Sequence, residues 1–194
     1  MTRSPRVAED VDILAQLAEV GAVGVSISLP ILDPQICRAL EPGTASPAAR
    51  LRTIRTLAEA GIPVGVSLAP VIPGLTDAML PDAICAAAEA GARWAWMSLL
   101  RLPGNVAQVF ESRLRQKLPE HADKVLAKLR RQRGGALHDG RFGARMRGVD
   151  ESWGVTDRLY RLWCERTGLG HAPIPLENPF RRPGHGQQMG LFGA

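Results

Sequence analysis

The sequence has few aromatic residues, few cysteines and no long hydrophobic run. Only 5% of its 194 residues are aromatic, and a single one is tyrosine. No apolar segment approaches the roughly 20 residues that a membrane-spanning helix needs, and residues 1–12 lack the apolar core of a secretory signal. We therefore expect a cytoplasmic protein. The hydrophobic fraction of 45% also excludes disorder across the whole chain.

The three cysteines, Cys37, Cys85 and Cys164, are too scattered for a disulfide framework or a sequence-local metal site. We expect each of them to be a small buried hydrophobic residue. The sequence also contains no P-loop, no GxGxxG, HExxH or CxxC pattern and no Ser/His/Asp order. Hydrolase and oxidoreductase functions therefore have no support from motifs.

Helical patterns alternate with short apolar strands along the first hundred residues. Three helices end at a glycine that leads directly into a strand, in AEVGAVGV, AEAGIPVG and AEAGARWA. Asp33 and Ser46 are predicted to cap the second and third helices. Predicted strands cover residues 22–30, 62–70 and 92–102. This alternation predicts an α/β fold with a parallel sheet. Three units are too few for a closed eight-fold barrel, so we expect a partial (βα) barrel, truncated at the N-terminus.

The character of the sequence changes after Pro103. Two amphipathic helices, a Gly/Arg-rich loop and a last helix follow, and the end of the chain is rich in Pro and Gly. We therefore divide the chain into βα units (1–105), a helical extension with a basic loop (106–168) and a flexible tail (169–194).

Positive charge is concentrated in one segment of the extension. The formal net charge is +5, and residues 124–147 hold eight basic residues against one acidic residue, which leaves −2 for the rest. Either this segment binds an acidic partner such as nucleic acid, or it is a solvated helix face. The candidate nucleic-acid contacts are Arg130, Arg131, Arg133, Arg145 and Arg147.

Three predicted strand ends carry candidate ligand-binding residues, because ligands of parallel α/β folds collect at the carboxyl ends of the strands. Ser26 and Ser28 share one face of the first strand, where they bind ligand hydroxyls or fill narrow barrel space. The VIPGLTD segment, residues 71–77, allows close backbone approach to a planar ligand or is a plain turn. Arg101 after the third strand pairs with a ligand anion or with a carboxylate at the rim.

Several motifs together resemble a known family. They are Thr2-Arg3-Ser4, SISLPILDP, LEPGTASPAARL, LAPVIPGLTD, LLRLP and GGALHDGRFGARMRG. They are similar to the later half of radical S-adenosylmethionine proteins, and most similar to the branch that resembles spore photoproduct lyase, often described as DNA repair photolyase-like. The likeness covers residues 2 to about 165, and the RFGxRMRG loop is its most specific part.

The resemblance implies a partial (βα)6 barrel and a [4Fe-4S] cluster that cleaves S-adenosylmethionine reductively. The resulting 5′-deoxyadenosyl radical abstracts hydrogen from a substrate. Carried over by position, Arg3 lies near the methionyl carboxylate, and Ser26 and Ser28 face the ribose and amino-acid part. The turn with Val71, Gly74 and Asp77 borders the adenine.

One departure from the family concerns the cluster. The family holds its cluster with a C-x3-C-x2-C triplet, which this sequence does not contain. The three cysteines present lie on different units and cannot replace it. We therefore expect a fragment of a longer enzyme, a misplaced gene start or a remnant, inactive as this chain alone. Its function is then either that of the C-terminal part of a radical enzyme, for which nucleic acid is a candidate substrate, or that of a non-catalytic nucleic-acid- or protein-binding module.

The C-terminal residues form a candidate partner peptide. Gln188, Leu191 and Phe192 fit Q-x-x-L-F and resemble the Q-L-[SD]-L-F peptide by which bacterial repair proteins bind the sliding clamp. A Pro/Gly-rich tether would let such a peptide reach a partner. The alternatives are a chance match and packing of the two apolar side chains onto the protein's own surface.

Overall fold

A small parallel sheet organises the molecule, which the computed structural model describes over residues 1–137 and 146–171. Its strands are β1 (Val25–Ser28), β2 (Val64–Ser67) and β3 (Trp94–Trp96), in the order β1-β2-β3. Both pairings are parallel. Single bridges extend the sheet at each edge, from Thr2 to Ile27 and from Trp94 to Gly170. The predicted α/β class with a parallel sheet is confirmed, and the barrel stays a prediction.

Seven α-helices surround the sheet within these residues. Two 3-10 helices, Pro5–Asp10 and Asp77–Met79, lead into the first and fourth α-helices. The α-helices are α1 (Val11–Glu19), α2 (Pro34–Leu40), α3 (Pro47–Glu59), α4 (Leu80–Glu89), α5 (Val106–Lys117), α6 (Pro119–Gln132) and α7 (Glu151–Thr167). Among the described residues, no helix combines the length and the apolar character needed to cross a bilayer.

The helices around the candidate site begin where the sequence predicts. The Asp33 carboxylate accepts hydrogen bonds from the backbone N–H groups of Gln35 (2.7 Å) and Ile36 (2.8 Å), and a proline follows each cap as the first helical residue. The Ser46 hydroxyl accepts from the N–H of Ala49. Since these acceptors satisfy donors that the first turn leaves unpaired, both helix starts are fixed locally.

Two hydrophobic clusters hold the layers together. In the first, one face of the strands, with Val64 and Val66, packs against α3 and α4 through residues such as Ile54 and Ile84. In the second, α5 and α6 pack on the loops that follow β2 and β3, with the apolar residues Ile72, Leu75, Leu100, Leu102, Leu114 and Leu126. The α5–α6 pair therefore covers the carboxyl edge of the sheet.

Helix α7 lies against α4 and is tied to the third strand. The Tyr160 hydroxyl donates a 2.8 Å hydrogen bond to the backbone carbonyl of Ala95, and Trp153 and Cys164 belong to the first hydrophobic cluster. Beyond its left-handed Gly168 cap, the chain places Gly170 beside β3. After the last described helix, the chain therefore returns to the sheet, where Gly170 forms a parallel bridge with Trp94 of β3. The three-part domain division stays a prediction.

Candidate functional site

Three serines lie on the face of the sheet opposite to the strand residues that enter the hydrophobic core. Ser28 on β1 is in register with Ser67 on β2, and Ser26 shares the parity of Ser28. None of the three hydroxyls hydrogen-bonds to another residue of ranges 1–137 and 146–171. We call these residues the serine face. Its hydroxyls are donors and acceptors that the described protein leaves unused.

The indole of Trp94 covers the centre of this face. Trp94 is buried and in register with Gly65 on β2. A Cβ atom at Gly65 would collide with the indole ring. Glycine is required there because an aromatic ring approaches the backbone closely. The serine face therefore combines hydroxyls with a flat apolar neighbour.

A cleft of about 790 Å³ opens at the carboxyl ends of the strands, between α2 and α5. The loops after all three strands contribute to it, through Pro30 and Ile31, Pro70 and Ile72, and Leu100. The peptide bond before Pro70 is cis. The remaining lining residues come from the end of α2 and from α5: Arg38, Ala39, Leu40, Glu41, Pro42, Val106, Val109, Phe110, Arg113 and Lys117. Volumes of this size are typical of small-molecule sites.

A buried ion network borders the cleft. The Glu41 carboxylate accepts from Arg50 (Nη2–Oε2 2.6 Å) and from Arg3 (Nη1–Oε1 2.8 Å). The Arg50 side chain is fully buried and also donates to the backbone carbonyls of Ser28 (3.1 Å) and Ala45 (2.9 Å). The Arg3 side chain is half exposed. The predicted ligand residue Arg3 is therefore already paired through one nitrogen, while its other donors remain open to solvent.

The predicted turn of residues 71–77 is held by its own side chains and by α6. The Asp77 carboxylate accepts from the backbone N–H of Gly74 (2.9 Å) and from Lys128 Nζ (3.2 Å). Gly74 has φ +84°, a left-handed conformation that favours glycine. Val71 is buried. Neither Val71, Gly74 nor Asp77 lines the cleft, to which this segment contributes Ile72.

Arg101 lies at the surface after β3. It is exposed and forms no ion pair within the described part of the chain. The alternative prediction, that Arg101 pairs with a carboxylate at the rim, is therefore not met by any carboxylate among those residues. Its predicted role toward a ligand anion stays a prediction.

The candidate nucleic-acid residues divide between surface and interior. Arg130, Arg131 and Arg147 are exposed, and we call these three the basic surface. Arg133 must be removed from the predicted set, because it is 5% exposed and donates to the carbonyls of Leu100 (2.8 Å) and Arg147 (3.2 Å). Its guanidinium links the loop after β3 to the segment before α7. Arg145 lies outside the described residues, as do Gln188, Leu191 and Phe192 of the predicted partner peptide.

The cysteines do not fit a [4Fe-4S] cluster. Cys37, Cys85 and Cys164 belong to α2, α4 and α7, and no group of three metal-ligating side chains occurs within residues 1–137 and 146–171. Burial raises the pKa of the Cys37 and Cys164 thiols, which disfavours the thiolate that binds iron. Two of the three are buried, as predicted, and Cys85 is half-buried.

Sequence reasoning missed Ser67, Arg50 and Glu41. Ser67 has the same signal as Ser26 and Ser28, because it alternates with Val64 and Val66 in the second strand. Arg50 and Glu41 have no comparable signal. An arginine within a helix is usually exposed, and its buried partners here come from separate segments of the chain.

Residues 1–84 match the family model of the Radical SAM superfamily. The matched segment contains β1, β2, the serine face and the turn of residues 71–77. The finer resemblance to the spore photoproduct lyase branch is not part of this match.

Three uncharacterized proteins are similar to parts of this chain. Uncharacterized protein Mb2609c of Mycobacterium bovis is 34% identical over 122 residues, which are 62% of this chain and 36% of that protein. Uncharacterized protein Rv2578c of Mycobacterium tuberculosis has the same values. Uncharacterized protein ORF301 of Acidianus two-tailed virus is 35% identical over 72 residues, 37% of this chain and 23% of that protein. This chain spans about a third of the length of the two mycobacterial relatives.

Proposed function

We propose that this chain supplies S-adenosylmethionine-binding strands to a radical S-adenosylmethionine enzyme similar to the spore photoproduct lyase branch. The observation that carries the proposal is the serine face. Ser28 and Ser67 lie in register on adjacent parallel strands, Ser26 shares their face, and none of the three hydroxyls has a protein partner among the described residues. The Radical SAM match over residues 1–84, which contain this face, supports the same reading.

The proposed role of these residues is binding and orientation. Ser26 and Ser28 would hydrogen-bond the ribose and amino-acid part of S-adenosylmethionine, with Ser67 beside them. The open donors of Arg3 would bind the methionyl carboxylate, since a charged donor strengthens such a hydrogen bond. Glu41 holds the Arg3 side chain at 2.8 Å and so limits its freedom before the ligand arrives.

The family's chemistry also needs a [4Fe-4S] cluster, which together with S-adenosylmethionine supplies the 5′-deoxyadenosyl radical. The described cysteines do not fit that cluster, because two are buried and the three lie on separate helices. We therefore derive no reaction step for this chain. The proposal confines it to the binding of S-adenosylmethionine and of a substrate.

Equilibrium dialysis with labelled S-adenosylmethionine tests the proposal. We expect saturable binding that Ser26→Ala and Ser28→Ala each weaken about 2- to 12-fold, the effect of one hydrogen bond worth about 0.5–1.5 kcal/mol. Ser112→Ala on α5 is the matched control, because Ser112 is exposed and far along the chain from the face. The Ser112→Ala chain should bind S-adenosylmethionine with the same affinity as the unchanged chain. Absence of saturable binding up to about 1 mM, a Kd equivalent to about −4 kcal/mol, would refute the proposal.

A second candidate function is nucleic-acid binding. The observation in its favour is the basic surface, whose three arginines are exposed, and Lys124 on α6 is exposed as well. Cations that can reach a phosphate backbone give affinity without sequence preference. Sliding-clamp binding by Gln188, Leu191 and Phe192 remains a separate proposal that rests on the sequence motif.

A further inference from the structure

The cleft between α2 and α5 has an apolar floor with one strongly exposed residue. Ile31, Ile72 and Leu100 form the buried part of the floor, and α5 adds the half-buried Phe110 and the exposed Val109. The side chain of Val109 is 59% exposed. Apolar surface of this kind loses its contact with water when a ligand with an apolar body fills the cleft.

Three cations surround this floor without protein partners. Arg38 on α2 and Arg113 and Lys117 on α5 line the cleft, are exposed and form no ion pair with any described residue. Arg115 on the same helix differs, because it is paired with Glu111 (3.1 Å) and Asp123 (2.8 Å). On α5, the cations that line the cleft are thus the ones left unpaired.

The one carboxylate that lines the cleft does not neutralise these cations. Glu41 is the only acidic residue of the lining. Its two oxygens bind Arg50 and Arg3, neither of which lines the cleft. A ligand that enters therefore meets an apolar floor and unbalanced positive charge at the same time.

The cleft is also separate from the residues proposed for S-adenosylmethionine. None of the serine face, Arg3 or the turn residues Val71, Gly74 and Asp77 belongs to its lining. The two sites meet at Glu41, which lines the cleft and holds Arg3. A ligand in the cleft would lie beside S-adenosylmethionine without replacing it.

We propose that the cleft binds an amphipathic small-molecule anion, with an aromatic or aliphatic body on the apolar floor and a carboxylate, sulfonate or phosphate at the cationic rim. Its volume of about 790 Å³ suits a molecule of drug-like size. The inference deepens the proposed function by naming the substrate class, and as an enzyme's substrate site it rests on that function. The binding itself requires no S-adenosylmethionine.

Two dyes of similar shape distinguish the contribution of the apolar floor to binding from that of the cationic rim. The anion 8-anilinonaphthalene-1-sulfonate carries the required charge, and the neutral N-phenyl-1-naphthylamine lacks it. Fluorescence titration of the full chain should give one saturable site for the anionic dye. Arg113→Gln/Lys117→Gln should weaken that dye about 2- to 30-fold, as two exposed ion pairs predict, and should leave the neutral dye unchanged within about two-fold. The control Arg115→Gln/Arg161→Gln removes equal charge at exposed arginines outside the cleft lining and should change neither affinity.

Val109→Asp tests the floor without disturbing the core, because Val109 is already largely exposed. It should weaken both dyes, and unchanged far-ultraviolet circular dichroism checks that the chain remains folded. Equal loss of anionic-dye affinity in the rim variant and its control would overturn the inference, as would dye binding that Val109→Asp leaves unchanged. Displacement of the dye by S-adenosylmethionine would overturn it too, since the two sites would then coincide. Dye binding as expected without S-adenosylmethionine binding supports the cleft and refutes the proposed function.

Discussion

Replacement of Arg50 should destabilise the chain far more than replacement of Arg3, although both pair with the same carboxylate. Arg50 is fully buried and donates to Glu41, to the Thr44 hydroxyl (2.8 Å) and to two backbone carbonyls. Arg3 donates only to Glu41, and its side chain is 50% exposed. The two pairs therefore differ in solvation and in the number of acceptors that depend on them.

The expected magnitudes follow from that difference. Arg50→Met keeps much of the side-chain volume but leaves two carbonyls and part of a carboxylate without their donor. Breaking a buried pair in this way costs about 3–5 kcal/mol of the free energy of unfolding. Arg3→Gln removes a half-exposed partner, so its cost should be about 0–1 kcal/mol. Arg50→Met/Glu41→Met removes both charges and should recover more than about 1 kcal/mol relative to Arg50→Met, because no buried carboxylate is left.

Urea unfolding followed by tryptophan fluorescence measures these differences. The four proteins should be compared at one pH and salt concentration, with slopes that agree, so that the midpoints report stability. Equal costs for Arg50→Met and Arg3→Gln would refute the reasoning, since burial would then make no difference. A double variant less stable than Arg50→Met would show that the carboxylate is not the main source of the cost.

Three further predictions concern other parts of the molecule. Gly65→Ala should lower the free energy of unfolding by about 1–3 kcal/mol, because the new methyl group displaces the Trp94 indole, and tryptophan fluorescence should shift to the red; an unchanged midpoint would contradict the close packing. Cys85 should react with a disulfide reagent at pH 8 faster than the two buried cysteines, whose thiol pKa is raised by burial. The labelling rates of the two buried cysteines should rise as the pH increases toward their raised pKa. Mass spectrometry of the labelled chain measures the rate at each cysteine, and slower labelling of Cys85 than of the buried cysteines would contradict the prediction. Replacement of all three arginines of the basic surface by glutamine should make the slope of log K against log[salt] for DNA binding less steep by up to about 3. An unchanged slope would mean that these arginines are solvated and do not contact DNA.

The local signals in the sequence were sufficient to place the elements. Asp33 and Ser46 cap their helices through their own side chains, so a short stretch of sequence contains the whole cause. The period-two pattern of β1 likewise indicated which residues face the core. The predicted third strand, 92–102, was too long, because β3 ends at Trp96. Beyond it, Leu99 still belongs to the first hydrophobic cluster, whereas Leu100 and Leu102 pack with α5 and α6. A run of apolar residues does not distinguish a strand from such a buried loop.

The errors and omissions arise where long side chains reach distant backbone. Arg133 follows α6, and the helical pattern placed it with its exposed neighbours. Its guanidinium instead donates to the backbone carbonyl of Leu100, 33 positions earlier in the chain. Arg50 likewise reaches the carbonyl of Ser28, 22 positions earlier. Neither contact leaves a periodic trace in the sequence, since each depends on how two distant segments of the chain approach each other in space.

The same reasoning explains why Glu41 joins the two proposed sites. It lies just after α2, where the helix ends, and its backbone N–H donates to the carbonyl of Cys37 (2.8 Å). From there the carboxylate reaches Arg50, which holds the carbonyl at the end of β1, and Arg3, which lies beside the serine face. Because one rigid carboxylate fixes both arginines, a shift of α2 on filling the cleft would move the Arg3 donors as well. Glu41 therefore connects the lining of the cleft to the proposed carboxylate-binding donors of Arg3 through a single carboxylate.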